Sequence, residues 1–225
     1  MTVFSLPDEN IFPDPSLADA DGLLAVGGDL SSDRLINAYR NGIFPWYSEN
    51  NPIIWWSPNP RMVLFPKYFK RTKNLRKLID KEVFEIKFDN DFSGVIRECA
   101  RIYRGNSDGT WIVDDIIRAY TKLHDLGIAH SVETYKNGVL VGGLYGLAIG
   151  KAFFGESMFH KVDNASKVAL WHLVDRLLEW DFDLIDAQQE TDHLKNMGAV
   201  AIGREKFLTL LKIAIAKEQL IKKWN

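Results

Sequence analysis

The residues best suited to chemistry lie in one short apolar segment, 184–188, where Asp186 and Gln188 are separated by a single residue. The segment is typical of a buried β-strand, and residues two apart on a strand point to the same face. We therefore expect the carboxylate and the amide to lie side by side. Burying both is unfavourable unless they are hydrogen-bonded. The pair thus indicates either a structural network or a working site, and the residues alone leave both open.

Glu156 is a third polar group among apolar neighbours, and it follows Gly155 in the preceding predicted strand. A buried ion pair would explain it without any function. The segment from Gly155 to Phe159 resembles a nucleophile elbow, but Phe159 stands where that turn requires glycine. Ser157 is therefore not predicted to be a nucleophile.

Several other classes of site need residues that the sequence lacks. It has no Gly-x-x-x-x-Gly-Lys phosphate loop and no His-Glu-x-x-His zinc helix. The single cysteine, Cys99, excludes an internal disulfide and a zinc site built from several thiolates. It lies in a predicted helix, which favours a structural role. A reducing compartment fits this cysteine usage, so we expect the protein to be cytoplasmic.

The elements around the candidate strand predict an α+β fold, with helices packed on a mostly antiparallel sheet. Asn137-Gly138, between two β-rich runs, predicts a hairpin with a tight turn, which a third strand at 151–158 extends. Further strands are predicted at 62–65 and 83–88, helices at 92–102, 114–126, 165–180 and 193–197, and a closing strand or helix from Phe207.

Residues 1–62 have a different composition, because they contain seven of the eight prolines. They are predicted as turns around one helix at 32–41. Trp46, Trp55 and Trp56 lie within eleven residues of each other. They could form the small core of an irregular segment, or an aromatic wall for an apolar side chain or a nucleobase. We expect a small N-terminal domain at 1–62 and a main domain at 63–225.

The net charge of −2 and the pI of about 6.2 mean that any contact with nucleic acid must be local. Residues 67–81 carry seven positive charges, and a helix at 72–81 would turn Leu75, Leu78 and Ile79 inward. Such a face either is simply solvated or binds phosphate. The longest nearly apolar stretch, 139–149, is about half of the roughly 20 residues that span a bilayer, so no membrane contact is expected.

Motifs distributed over nearly the whole chain resemble those of the bacterial leucyl/phenylalanyl-tRNA–protein transferases. They occur in the family's order and at its spacing, and Asn59 stands where the family usually has aspartate. The motifs are Gly22-Leu-Leu-Ala-Val-Gly-Gly-Asp-Leu30, Ala38-Tyr-Arg-Asn-Gly-Ile-Phe-Pro-Trp46, Trp55-Trp-Ser-Pro-Asn-Pro-Arg61, Gly109-Thr-Trp-Ile112, His130-Ser131, Phe154-Gly-Glu-Ser-Met-Phe159, Asn164-Ala-Ser-Lys167, Asp186-Ala-Gln188 and His193 through Gly198-Ala199.

The resemblance implies a small N-terminal α/β domain joined to a C-terminal domain similar to the acyl-CoA N-acyltransferase (GNAT-like) fold. It implies transfer of Leu or Phe from aminoacyl-tRNA to the α-amine of proteins that begin with Arg or Lys, which marks those proteins for degradation. Because the ester of the tRNA is already activated, no metal or cofactor is expected. A monomer is expected, and the sequence does not decide the preference among Leu, Phe and Met.

The resemblance also implies roles for individual residues. Gln188 would contact the attacking amine, with Asp186 orienting and polarising it; a neutral amide is a poor base, so positioning is the expected effect. Glu156 would receive the ammonium of the donor or the cationic end of the acceptor. The walls of the donor pocket would be Trp46, Trp111, Tyr120, Leu144, Met158, Leu170, Leu173, Leu177 and Ile185. The tRNA would be bound by Lys70, Arg71, Lys73, Arg76, Lys77 and Lys81.

Two other functions compete with this one. A CoA-dependent N-acetyltransferase would need a Gln/Arg-x-x-Gly-x-Gly/Ala loop for pyrophosphate, and only Gln189-Glu-Thr-Asp192 follows the candidate strand. A non-catalytic RNA-binding module would use the basic segment and exposed aromatic residues alone.

Overall fold

The computed structural model describes residues 3–102, 110–218 and 224, which form two sheets and the helices around them. The smaller sheet has the strand order β1-β2-β4-β3, with β1 and β2 parallel and the other pairs antiparallel. Helix α1 connects β2 to β3. The bounds are Phe4–Leu6 (β1), Leu23–Gly27 (β2), Ser32–Arg40 (α1), Phe44–Pro45 (β3) and Ile54–Trp56 (β4).

This smaller sheet corrects the prediction that residues 1–62 contain only turns and one helix. Its strands are two to five residues long, which is too short for a periodic pattern to be recognised among the prolines. Trp55 is fully buried, and its indole N–H donates to the carbonyl of Gly27, 2.8 Å away. The tryptophan cluster therefore does contribute to a core.

The larger sheet has seven strands in the order β11-β5-β10-β9-β8-β7-β6. Only β9 and β10 are parallel, so the predicted α+β class with a mostly antiparallel sheet is confirmed. The strands are Arg61–Leu64 (β5), Glu85–Phe88 (β6), Ala129–Lys136 (β7), Val139–Ile149 (β8), Ala152–His160 (β9), Leu184–Gln188 (β10) and Val200–Ile202 (β11). The division of the chain into 1–62 and 63–225 stays a prediction; the large sheet already begins at Arg61.

Helices cover both faces of the larger sheet, which separates two apolar cores. Neighbouring residues of β9 show this, because Phe154 packs in the core under α3 and α4, while Phe153 packs in the core under α2 and α5. The helices are Lys73–Asp80 (α2), Phe92–Arg101 (α3), Asp114–Asp125 (α4), Ala165–Glu179 (α5), Asp192–Asn196 (α6) and Arg204–Ile215 (α7). Among the described residues, no helix is both long and apolar enough to cross a membrane.

Two irregular strand pairings, β10 with β5 and β8 with β9, determine the directions of the polar side chains. The register of β10 against β5 shifts between Asp186 and Gln188, and Gln188 has a φ of +57°. The register of β8 against β9 shifts next to Gly155, so that Glu156 is the extra residue of a bulge. Bulges redirect side chains from the regular alternation of a strand, and they occur often beside functional sites.

Candidate functional site

A cavity of about 800 Å³ lies where β9 and β10 face the loops of the smaller sheet. Its wall is mainly apolar and aromatic, with a few polar groups, as is usual for sites that bind small organic groups. The predicted site residues that line it are Trp46, Trp111, Leu144, Glu156, Met158, Leu170, Leu173, Ile185 and Gln188. The smaller sheet and its loops add Phe44, Tyr47 and Trp56.

Three residues predicted for catalysis or for the donor pocket do not line this cavity. Leu177 is fully buried in the core under α5, one helical turn beyond Leu173. Tyr120 is also fully buried, and it reaches the site only through the hydroxyl that it directs at Glu156. Asp186 has no exposed surface.

A chain of hydrogen bonds connects the cavity to the core beneath it. The side-chain N–H of Gln188 (Nε2) donates to Oε1 of Glu156 at 2.9 Å. The hydroxyl of Tyr120 donates to Oε2 of the same carboxyl group at 3.3 Å. The hydroxyl of Tyr39 is hydrogen-bonded to that of Tyr120. Since Nε2 of Gln188 is held by Glu156, its carbonyl oxygen is the end that can accept a hydrogen bond from a bound molecule.

Burial shifts the ionisation of these groups in the direction of their neutral forms. It raises the pKa of Glu156 to about 8, and the negative charge of Asp186 acts in the same direction. Burial also raises the pKa values of Tyr39 and Tyr120 well above the ordinary tyrosine value, so both hydroxyls keep their protons. Near pH 8, Glu156 is therefore divided between a carboxyl and a carboxylate at the wall of the cavity.

Asp186 is held in place by Arg61, a residue that sequence reasoning did not assign to the site. Nε and Nη2 of Arg61 donate to the two carboxylate oxygens at 2.8 and 2.7 Å, and both side chains are completely buried. The third nitrogen, Nη1, donates to the carbonyl of Gly42 at 3.1 Å. The guanidinium lies between the rings of Phe44 and Phe207, 4.8 and 4.6 Å from their centroids.

The prediction that the side chains of Asp186 and Gln188 lie on the same face, beside one cavity, is therefore wrong for Asp186. The bulge at Ala187 breaks the regular alternation, so Ala187 and Gln188 both line the cavity. Asp186 acts on its neighbour through the backbone instead, because its Oδ1 accepts the N–H of Gln188 at 3.0 Å. The need of a buried carboxylate for a cationic partner predicts that an Arg or Lys pairs with Asp186, but it does not identify Arg61.

The basic segment adopts the predicted helix, with Thr72 as its N-cap and Leu75 buried against the core under α5. Its cations are not equivalent. Arg71 is half-buried and paired with Asp175, and both Arg71 and Arg76 lie over the ring of Trp171. The predicted cations with exposed side chains are Lys70, Lys73, Arg76, Lys77 and Lys81.

The basic segment lies beside α6, which forms part of the mouth of the cavity. The backbone N–H of Lys70 donates to the carbonyl of Met197 at 2.9 Å, directly after α6. His193 and Leu194 of α6 line the cavity. Within residues 3–102, 110–218 and 224, no group of three His, Cys, Asp or Glu side chains could hold a metal ion.

Comparison with known proteins gives matches along nearly the whole chain. A family model described as leucyl/phenylalanyl-tRNA protein transferase matches residues 63–212, and a model of the N-terminal domain of the same proteins matches residues 28–59. A protein of Syntrophobacter fumaroxidans named leucyl/phenylalanyl-tRNA–protein transferase is 57% identical over 94% of this chain and 90% of its own length. A relative of the same name from Thermodesulfovibrio yellowstonii is 53% identical over 100% of this chain and 92% of its own length.

Solved structures give weaker matches. A GCN5-related N-acetyltransferase from Kribbella flavida matches with a TM-score of 0.39 and 8% identity, over 75% of this chain and 60% of that protein. We draw no conclusion about activity from a likeness at this level.

Proposed function

The chain belongs to the leucyl/phenylalanyl-tRNA–protein transferase family, and we propose that it transfers Leu or Phe from tRNA to the α-amine of proteins that begin with Arg or Lys. The product would carry a new N-terminal residue that marks it for degradation, and the protein would act as a monomer in the cytoplasm. The observation that carries the proposal is the apolar cavity that opens beside the Gln188 amide.

The apolar end of the cavity is suited to the side chain of the transferred amino acid. Leu144, Leu170 and Leu173 form its wall together with Ile185, and Met158 adds an adaptable surface that can fit both Leu and Phe. A volume of about 800 Å³ leaves space for the terminal adenosine as well. Trp46, which is 38% exposed, and Trp111 line the same cavity and would stack on that base. Val and Ile, which are wider at Cβ, should be poorer donors.

The polar end of the cavity is suited to the attacking amine. Oε1 of Gln188 can accept an N–H of the amine and hold its nitrogen against the ester carbonyl. Orientation of this kind is a large part of catalysis when the reactants are already activated. Asp186 would support it by fixing the backbone of Gln188, and Arg61 by fixing Asp186.

The exposed cations at 70–81 would bind the phosphates of the acceptor stem, close to the mouth of the cavity. A triple variant in which Lys70, Lys73 and Lys77 are each changed to Gln should weaken tRNA binding. It should also reduce the slope of log Kd against log salt by about two. Filter binding of Leu-tRNA at several salt concentrations measures this.

The control for that measurement changes Lys206 and Lys212, which are exposed on α7, to Gln. These substitutions should leave the slope unchanged. Equal slopes for the two variants would mean that the tRNA lies elsewhere on the protein.

The transfer itself is tested with purified protein, radiolabelled Leu-tRNA or Phe-tRNA, and peptides that differ only in their first residue. Labelled product should form without CoA when the peptide begins with Arg or Lys, and it should not form when the first residue is Glu. Binding of tRNA without any labelled peptide would support a non-catalytic RNA-binding module. Modification that depends on acetyl-CoA would support an N-acetyltransferase.

A further inference from the structure

We propose that Glu156 is the group that accepts the proton which the attacking amine loses during transfer. The proposal rests on the proposed function, since it concerns the same cavity. Among the residues that the structure describes, Glu156 is the one acidic side chain in the wall of the cavity. It is also hydrogen-bonded to the amide that would hold the amine, with 2.9 Å between Oε1 of Glu156 and Nε2 of Gln188.

The neighbouring polar groups are poorly suited to take this proton. Both oxygens of Asp186 already accept hydrogen bonds from Arg61, and one of them also accepts the backbone N–H of Gln188. This carboxylate has no surface in the cavity. The neutral amide of Gln188 can orient an amine but is a very weak base. Tyr39 and Tyr120 lie beneath Glu156 and keep their protons, because burial raises their pKa values.

Glu156 is also matched to the amine in basicity. Burial raises its pKa to about 8, which is close to the value of about 8 for a free α-amine. A general base is most effective when its pKa lies near the working pH, because enough of it is ionised and it still binds the proton well. The groups that face Glu156 are Tyr39 of α1, Tyr120 of α4, and Asp186 and Gln188 of β10, with Arg61 of β5 balancing the charge of Asp186.

The step is balanced without any other reactant. The lone pair of the neutral amine forms a bond to the ester carbonyl carbon, and the carbonyl oxygen takes the negative charge. The Glu156 carboxylate removes a proton from the nitrogen. The carbonyl re-forms as the bond to the ribose oxygen breaks, and this oxygen takes the proton from the Glu156 carboxyl. The carboxylate is thereby restored for the next cycle.

The test separates the ionisation of Glu156 from that of the acceptor. The acceptor is an Arg peptide whose α-amine is replaced by an aminooxy group, which is weakly basic and stays unprotonated between about pH 6 and 9. Single-turnover rates are measured with the protein in excess over Phe-tRNA and with a saturating concentration of the acceptor. Because the aminooxy group does not titrate in this range, the rate of the unmodified protein should follow the ionisation of Glu156, rising with pH and levelling off above about 8. Glu156→Gln should be at least about 100-fold slower, with a flat profile.

Glu133→Gln is the matched control, because Glu133 is another buried glutamate whose pKa burial raises, and it does not line the cavity. This variant should keep the rise with pH. If Glu156→Gln is too slow to profile, Glu156→Ala is assayed with formate, which should restore part of the rate by supplying a carboxylate. A Glu156→Gln rate that still rises through pH 8, or no rescue by formate, would contradict the proposal. A lack of transfer by the unmodified protein would instead reject the proposed function.

Discussion

Replacing Arg61 with methionine should lower the free energy of unfolding by about 3–5 kcal/mol and reduce transfer to background. The substitution leaves the carboxylate of Asp186 buried without its cationic partner, and both side chains of this pair are completely shielded from water. It also removes the hydrogen bond to Gly42, which joins β5 to the loop between α1 and β3. Chemical denaturation, combined with the transfer assay, measures both effects.

Two further variants show whether stability and activity depend on the pair in different ways. Arg101→Met breaks an ion pair with Glu98 in which Arg101 is 72% exposed, so it should cost less than about 1 kcal/mol. The double variant Arg61→Met with Asp186→Leu removes both buried charges and should recover much of the stability. Transfer should stay low in the double variant, because the backbone of Gln188 loses its acceptor. Full activity there would mean that the ion pair serves the fold alone.

Replacing Leu170 with tryptophan should reduce transfer from both Leu-tRNA and Phe-tRNA by at least about 100-fold. Leu170 is buried on α5 and lines the apolar end of the cavity, so the larger side chain would occupy the space proposed for the donor. The loss corresponds to about 2.7 kcal/mol of binding to the transition state. Rates measured at several concentrations of each aminoacyl-tRNA separate this effect from simple unfolding.

Leu177→Ala is the control on the same helix. Leu177 is fully buried but does not line the cavity, so the variant should lose about 2–5 kcal/mol of stability. It should keep the relative use of Leu and Phe at temperatures where it is folded. A change in donor preference at Leu177 but not at Leu170 would mean that the donor occupies a different space.

The larger sheet and the helices on it could be predicted well because most of these elements are long and carry clear local signals. The turn at Asn137-Gly138 identified the hairpin of β7 and β8, and the apolar spacing identified α2 and α5. The smaller sheet could not be predicted in the same way. Its strands are held by pairing between residues far apart in sequence, such as Phe4 with Ala25, and short strands have little local pattern.

The site was predicted in its residue types more than in its geometry. The strand at 184–188 and the apolar positions on α5 follow from pattern and resemblance. The direction in which the Asp186 side chain points could not be predicted, because one extra residue in a bulge changes which side chains share a face. Arg61 was also missed, since no local signal connects it to a partner 125 residues away.

The proposed site is tested most directly by a crystal structure of this protein with an unreactive donor analogue, in which phenylalanine is joined to adenosine by an amide. We expect the phenyl ring to lie among Leu144, Leu170 and Leu173, with the carbonyl carbon within about 4 Å of the position that an amine held by Gln188 would occupy. A phenyl ring bound outside the cavity, or a carbonyl group pointing away from Gln188, would contradict the proposed site.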